Sequence, residues 1–267
     1  MTTAPLTPDA VKACCAAAYG SDLVSLLLGD AYHPGGLALT RELAGALSLR
    51  PADRVLDVAC GRGTTALLLA QEYGVRVEGV DLAAANVAVA KDLAEAAGTA
   101  AQLSFSIGDA EALPYPDALF DAVICECAFC TFPAKPTAAA ELTRVLRRGG
   151  RIGITDVVAE PSRLPRELTG LTAWVACVAD ARPLDEYAAL LTDAGLRVTR
   201  TGQHNDAMSR MIDQLEARLG VLRMTARARV ESLGMDFSKA PAMLAAARTA
   251  VADGVLGYAM VIAEKRQ

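Results

Sequence analysis

No stretch of 18 apolar residues free of charge occurs in the sequence, so nothing in it has the length of a membrane-spanning helix. Long basic runs are missing too. With 26 Lys and Arg against 31 Asp and Glu the formal charge is −5, which argues against a nucleic-acid partner. The N-terminal MTTAPLTPDAVKACCAAAYG lacks the basic segment and unbroken apolar run of a secretory signal. Internal repeats and low-complexity linkers are lacking, and histidine is scarce, with only His33 and His204. The seven cysteines are odd in number and scattered through strand-like and helix-like segments. That usage fits free thiols in a reducing cytoplasm better than a disulfide framework.

What is present is an alternation of apolar runs and helical stretches from residue 54 onward. RVLDVA (54–59), VRVEGVD (75–81), LSFSIGD (103–109), FDAVICEC (120–127) and RIGITDVV (151–158) read as strands, with helical segments such as 138–148 between them. Their nearly continuous apolar character predicts a mainly parallel sheet covered by helices on both faces, an α/β fold. Residues 162–180 read as a short helix. Residues 206–252 carry Met208, Met211, Ile212, Leu215, Leu219 and Leu222 at helical spacing, a stripe for packing or for a homodimer face. GYAMVIAEK (257–265) reads as a final strand. The expected organisation is one unit over 1–267. It has a helical N-terminal cap (1–50), a core (51–205), a helical insertion (206–252) and a last strand (253–267).

VLDVACGRGTT carries the first chemistry. A strand ends in a loop with Gly61 and Gly63, and a helix begins near Thr64, where free N–H groups await a ligand. Alone, GRGTTA also fits the dinucleotide fingerprint. Asp57, just before the loop, would repel a pyrophosphate but can receive an ammonium group. Asp81 closes the second strand, where carboxylates accept from ribose hydroxyls, and Asp109 with Ala110 closes the third, facing an adenine amino group. A cofactor with an amino-acid part, a ribose and an adenine but no phosphate satisfies all three.

VLDVACGRGTT, VEGVDLA, IGDAEALPYPDALFDAVI and LTRVLRRGGRIGITDV, in this order, resemble the successive motifs of class I S-adenosylmethionine-dependent methyltransferases over residues 35 to 204. The resemblance implies a Rossmann-like sheet of seven strands with the last one antiparallel, and S-adenosyl-L-methionine as cofactor. It implies Asp57, Ala59, Gly61 and Gly63 around the methionine part, Asp81 and Leu82 at the ribose, and Asp109 and Ala110 at the adenine. Ala59 stands where the family usually has glycine.

CECAFCTFP (125–133) places three thiols where ligands bind in open α/β sheets, beyond a strand's carboxyl end. Cys125, inside the apolar run, suits core filling against the cofactor side. A structural zinc would need four ligands, and no partnering pair lies nearby. ICECAFCTFPAK and the segment LPRELTGLTAWVACVADARPLDEYAALLTDAGL are similar to arsenite methyltransferases. That similarity implies Cys127 and Cys177 as ligands of a metalloid acceptor, with Cys130 as a third, since Ala66 stands where the family has another cysteine. Soft thiolates suit trivalent arsenic. His33 in GDAYHPGGLAL is a candidate general base. Glu126 is a candidate too, although strand alternation turns it away from its neighbours. Tyr19, Tyr32 and Trp174 are candidate pocket walls. The expected activity is therefore methyl transfer to trivalent arsenic or another small thiophilic acceptor. The alternatives are natural-product O-, N- or C-methylation, or a non-catalytic soft-metal binder on the same fold.

Overall fold

The structure is a computed structural model that describes residues 7–29, 32–169, 177–178, 180–233 and 236–267. Three helices lead in: α1 (Pro8–Tyr19), α2 (Asp22–Leu28) and α3 (Gly36–Ala46). The Thr7 hydroxyl caps α1 by accepting from the Ala10 N–H at 3.3 Å, and Pro8 supplies the first helical residue. Next come β1 (Arg54–Val58), α4 (Thr64–Tyr73), β2 (Arg76–Asp81), α5 (Ala84–Ala96), β3 (Leu103–Ile107) and β4 (Phe120–Glu126). They are followed by α6 (Lys135–Val145), β5 (Leu146–Ala159), α7 (Leu184–Asp193) and β6 (Leu196–Gln203). Three helices, α8 (Asn205–Thr225), α9 (Arg227–Ser232) and α10 (Ala240–Ala252), precede β7 (Leu256–Lys265).

The seven strands form one sheet in the order β3-β2-β1-β4-β5-β7-β6. The pairs from β3 to β5 are parallel, and β7 runs antiparallel to both β5 and β6. This is the expected Rossmann-like arrangement, and strand order reverses between β1 and β4. A crevice opens beyond the carboxyl ends of such a pair, where α/β sheets bind ligands. The residues of β1 beyond Arg54 are buried, as are Ala122 to Cys125 of β4, which explains their unbroken apolar runs.

One boundary differs from the sequence reading. The helix expected to run to residue 148 stops at Val145, because Leu146 turns extended and pairs with Phe120 as the start of β5. Where a short helix is expected over 162–180, the described residues hold 3₁₀ turns at Pro161–Arg163 and Arg166–Leu168; residues 170–176, with Trp174, lie outside the described residues.

Close packing of α3 on β5 depends on Gly153. A Cβ there would lie 2.5 Å from Leu43 Cδ1, so only glycine lets the helix settle at this depth. Of the apolar stripe on α8, Met208 and Ile212 are buried, while Met211, Leu215, Leu219 and Leu222 are half-exposed. Among the described residues no single helix is long and apolar enough to cross a membrane.

Candidate functional site

A cavity of about 140 Å³ occupies the crevice beyond β1 and β4. Asp57, Ala59 and Gly61 line its floor, Asp81 and Leu82 one side, Asp109 and Ala110 the far end. His33, Glu126 and Cys127 line the opposite end. Gly63 is not in the wall. It caps α4 with φ +82, and a Cβ there would meet Ala90 Cβ at 2.9 Å and Phe105 Cζ at 3.0 Å. Its freedom from a side chain is required by the packing of α4 on Ala90 and Phe105. Cys125 is also absent from the wall and fully buried, so it fills the core beneath the cofactor side.

Ala59 adopts φ +57, a left-handed backbone that costs a non-glycine residue about 1 kcal/mol. The loop it bends is pinned by Asp81. One carboxylate oxygen accepts from the Gly61 N–H at 2.9 Å, and the other accepts from the Ala83 N–H at 2.8 Å and from Asn86 Nδ2 at 3.3 Å. Burial pushes the Asp81 pKa up, and these donors oppose it. Asp57 has no such relief. It is 2% exposed, and its Oδ2 is buried without a hydrogen-bond partner among the described residues. Burial first, then the charges of Glu126 and Asp81, push its carboxyl well above the usual range.

An orphaned carboxylate oxygen in a cavity lined by further acids calls for a cation. The ammonium and sulfonium of S-adenosylmethionine fit that demand, whereas a pyrophosphate would be repelled. The residues present therefore fit this cofactor.

Lys12 escapes a reading of the sequence alone. From α1 it reaches over the far end of the cavity, with Nζ 2.7 Å from Asp109 Oδ2 and 2.5 Å from Glu111 Oε2. Burial works against its charge, but the two carboxylates hold its pKa above the usual lysine value. The other Asp109 oxygen accepts from the Glu111 N–H at 2.9 Å. The ion pairs staple α1 across the cavity mouth. Lys12→Ala is expected to raise amide exchange across residues 8–19 and to weaken cofactor binding several-fold, measured by hydrogen exchange and calorimetry. Equal exchange in both proteins would refute the staple.

Glu126 is where alternation misleads. Cys127 takes φ +53, and this break in the pleat lets both residues reach the same cavity. The Glu126 carboxylate accepts from Thr65 Oγ1 at 2.7 Å and from Thr40 Oγ1 at 3.1 Å, and lies 3.6 Å from His33 Nε2. Both the imidazole and the carboxylate are almost fully buried. The Pro34 carbonyl, 3.3 Å from Nδ1, can only accept, so Nδ1 is the donor there and carries the proton of the neutral ring. Nε2 then holds the ring's lone pair, on the side of Glu126 and 3.5 Å from the Thr40 hydroxyl oxygen.

The thiols converge. Cys177 Sγ lies 3.4 Å from the Cys127 carbonyl oxygen and 2.8 Å from the Tyr19 hydroxyl. Hydrogen bonds from Cys127, then from Cys130, hold Cys177 well below the usual thiol range. Cys130 and Cys177 are only 1% and 3% exposed and stand behind the cavity wall, in which Cys127 takes part. Among the described residues no group of three or more His, Cys, Asp or Glu is arranged to hold a metal ion, so the expected metal set of Cys127, Cys130 and Cys177 is not found as one.

Behind the thiols, Asp156 accepts from the Cys130 N–H at 3.0 Å and from the Val157 N–H at 2.7 Å. Burial, then the charge of Cys177, pushes its pKa up to about 7. A carboxyl raised on folding stays protonated longer in the folded protein. It therefore withdraws stability as pH rises from about 4 to about 7, on the order of 4 kcal/mol in all. Melting temperatures should fall between about pH 4 and about pH 7, and Asp156→Asn should flatten that slope. An unchanged slope in the variant would assign the effect elsewhere.

Residues 55–150 match the family model described as a methyltransferase domain. The chain is 34% identical over 190 residues to the 27-O-demethylrifamycin SV methyltransferase of Amycolatopsis mediterranei (strain S699), covering 66% of this chain and 70% of that one. The chain belongs to the class I S-adenosylmethionine-dependent methyltransferases. It is an enzyme, and its cofactor is S-adenosylmethionine. This methyltransferase superposes on the cyclase SpnF with a TM-score of 0.79 at 24% identity, over 99% of this chain and 98% of that one. It also matches the geranyl diphosphate C-methyltransferase of Streptomyces coelicolor A3(2), solved with S-adenosyl-L-homocysteine, with a TM-score of 0.75 at 17% identity, over 98% and 100% of the two chains. At these identities the structural matches establish the fold alone. The methyltransferase spans only 38% of the maize phosphoethanolamine N-methyltransferase 1 that it also matches.

Proposed function

We propose that this enzyme methylates a hydroxyl oxygen of a small organic acceptor of the natural-product kind, with His33 as general base. The observation that carries the reading is the His33–Glu126 pair in the wall of the cofactor cavity, with Nε2 turned to the carboxylate and Nδ1 anchored on the Pro34 carbonyl. An alcohol is a poor nucleophile until it loses its proton, whereas a metalloid lone pair needs no base. A relative named for an O-demethylated rifamycin acceptor adds support for oxygen as the nucleophile.

In this reading Asp57 receives the cofactor's ammonium group, Ala59 and Gly61 border its methionine part, Asp81 and Leu82 its ribose, and Asp109 and Ala110 its adenine. When bound, the cofactor supplies an electrophilic methyl group on a sulfonium. His33 takes the hydroxyl proton at Nε2, while Nδ1 holds the ring by donating to the Pro34 carbonyl. Glu126 stabilises the imidazolium from the Nε2 side, held in place by Thr40 and Thr65. Tyr19 and Tyr32, with ring centroids 6.4 Å apart, close the cavity from the side of α1 and keep water from the reacting atoms.

A metalloid acceptor has one observation in its favour, the meeting of Cys127, Cys130 and Cys177. Burial of two of the three thiols behind the cavity wall weighs against it, and a hydroxyl acceptor needs no thiol. One assay separates the two. S-adenosylhomocysteine release is measured with a panel of hydroxylated acceptors and with arsenite, and the product's methyl is located by mass spectrometry. Oxygen methylation without arsenite turnover is expected. Arsenite turnover that disappears in Cys127→Ser and Cys177→Ser would replace the hydroxyl reading.

A further inference from the structure

A second cavity, of about 300 Å³, lies on the other side of His33. Its walls come from the end of α2, the start of α3 and the inner face of α8, with Leu28, Gly36, Met211 and Leu215 as apolar surface. His33 lines both this cavity and the cofactor cavity, so the two adjoin at this residue. A molecule seated here presents one end to the candidate base and the other to whatever the far wall offers.

That far wall is basic. Arg210 and Arg218 both line it, but their states differ. Arg210 is paired with Asp206 at 2.6 Å, one helical turn away. Arg218 is half-buried and has no acidic partner among the described residues; its Nη1 donates to the Leu27 carbonyl at 3.0 Å. A guanidinium carries five N–H donors, so four remain beyond that bond. Gly29 makes room for it, since a Cβ there would lie 2.7 Å from both Nη1 and Nη2. A planar fork with no acidic partner in a concave site suits a carboxylate or phosphate oxygen pair.

We infer that this second cavity is the acceptor site and that its acceptor carries an anionic oxygen group, carboxylate or phosphate, held by Arg218 while its hydroxyl meets His33. The inference rests on the hydroxyl reading above for the identity of the reacting group, but not for the existence of the anion site. Arg218 is then the specificity-determining residue, placed on a helix of the insertion between β6 and β7. A purely structural Arg218 would only cap the last turn of α2 through the Leu27 carbonyl. Lysine can do that as well, but it lacks the fork.

The test uses the full chain with S-adenosylhomocysteine bound, and two probes that differ only in charge, 4-hydroxybenzoate and its methyl ester. Binding is measured by calorimetry to wild type, Arg218→Lys, Arg218→Ala and Met211→Trp. Arg218 accessibility is read by phenylglyoxal modification and peptide mass spectrometry, with Arg210 as internal control. The acid is expected to protect Arg218 and the ester is not. The acid should bind about ten- to a hundredfold more weakly in Arg218→Ala and in Arg218→Lys. Filling the cavity with Met211→Trp should abolish its binding and leave cofactor affinity unchanged. Equal protection by acid and ester, or undiminished acid binding in both Arg218 variants, would overturn the assignment. Binding through Arg218 without methyl transfer to any hydroxylated acid leaves the anion site standing and sinks the hydroxyl reading. Methyl transfer that ignores Arg218 does the reverse.

Discussion

Asp57→Asn is expected to bind S-adenosylmethionine about a hundredfold more weakly than the wild-type enzyme while the cofactor-free variant melts at a higher temperature. The two effects share one cause. Asp57 Oδ2 is buried without a partner among the described residues, and burial already holds the carboxyl well above its usual range. An ionised carboxylate there is costly until a cation pairs with it, and removing one partner of a buried charge pair costs roughly 2 to 5 kcal/mol. Asparagine keeps the shape and removes the charge. The sign with pH follows from the raised value. The folded protein keeps this proton longer than the unfolded chain, so stability is lost as pH rises from about 4 upward through the folded value. The advantage of the Asp57→Asn variant in the cofactor-free state should therefore grow with pH. In the wild type, cofactor affinity should improve over the same range, with proton release on binding. Calorimetry in two buffers of different ionisation heat, with melts at several pH values, reads all of this. Equal cofactor affinity in variant and wild type would mean that Asp57 does not meet the ammonium.

Much of the sheet was legible because buried parallel strands have a plain signature. β1, β2 and β4 stand within one or two residues of their apolar runs, and Asp57, Asp81 and Asp109 fall at the strand ends where the motifs put them. What stayed hidden depends on backbone angles or on distance along the chain. Glu126 was turned the wrong way because period-two alternation holds only while the pleat continues, and Cys127 at φ +53 ends it. Gly63 matched a ligand-loop pattern, but its neighbours are Ala90 and Phe105, which only the packed fold brings to it. Lys12 meets Asp109 across 97 residues, and no local pattern announces such a pair. The meeting of Cys127 with Cys177, across 50 residues, was posed by the sequence as a question and answered by the fold. Of the three thiols, Cys127 stands in the cavity wall and Cys130 and Cys177 lie behind it.

His33→Asn is expected to lower kcat by about a hundred- to ten-thousandfold on an aliphatic alcohol acceptor while cofactor affinity stays at the wild-type value. The loss should shrink as the acceptor hydroxyl becomes more acidic, because a nitrophenol gives up its proton to water far more readily than an alcohol does. That gradient separates a base from a residue that merely shapes the cavity, which would cost the same for every acceptor. Glu126→Gln should show a smaller loss with the same gradient. Its carboxylate lies 3.6 Å from Nε2 and stabilises the imidazolium only after the proton has moved. Thr65 and Thr40 donate to that carboxylate, so the glutamine variant must turn an amide donor toward at least one of them. Thr65→Val in the Glu126→Gln background should then restore part of the packing without restoring the rate, which divides the electrostatic share from the structural one. A flat loss across the acceptor series in His33→Asn would leave His33 as a positioning residue, and oxygen methylation would then need its base from the acceptor itself.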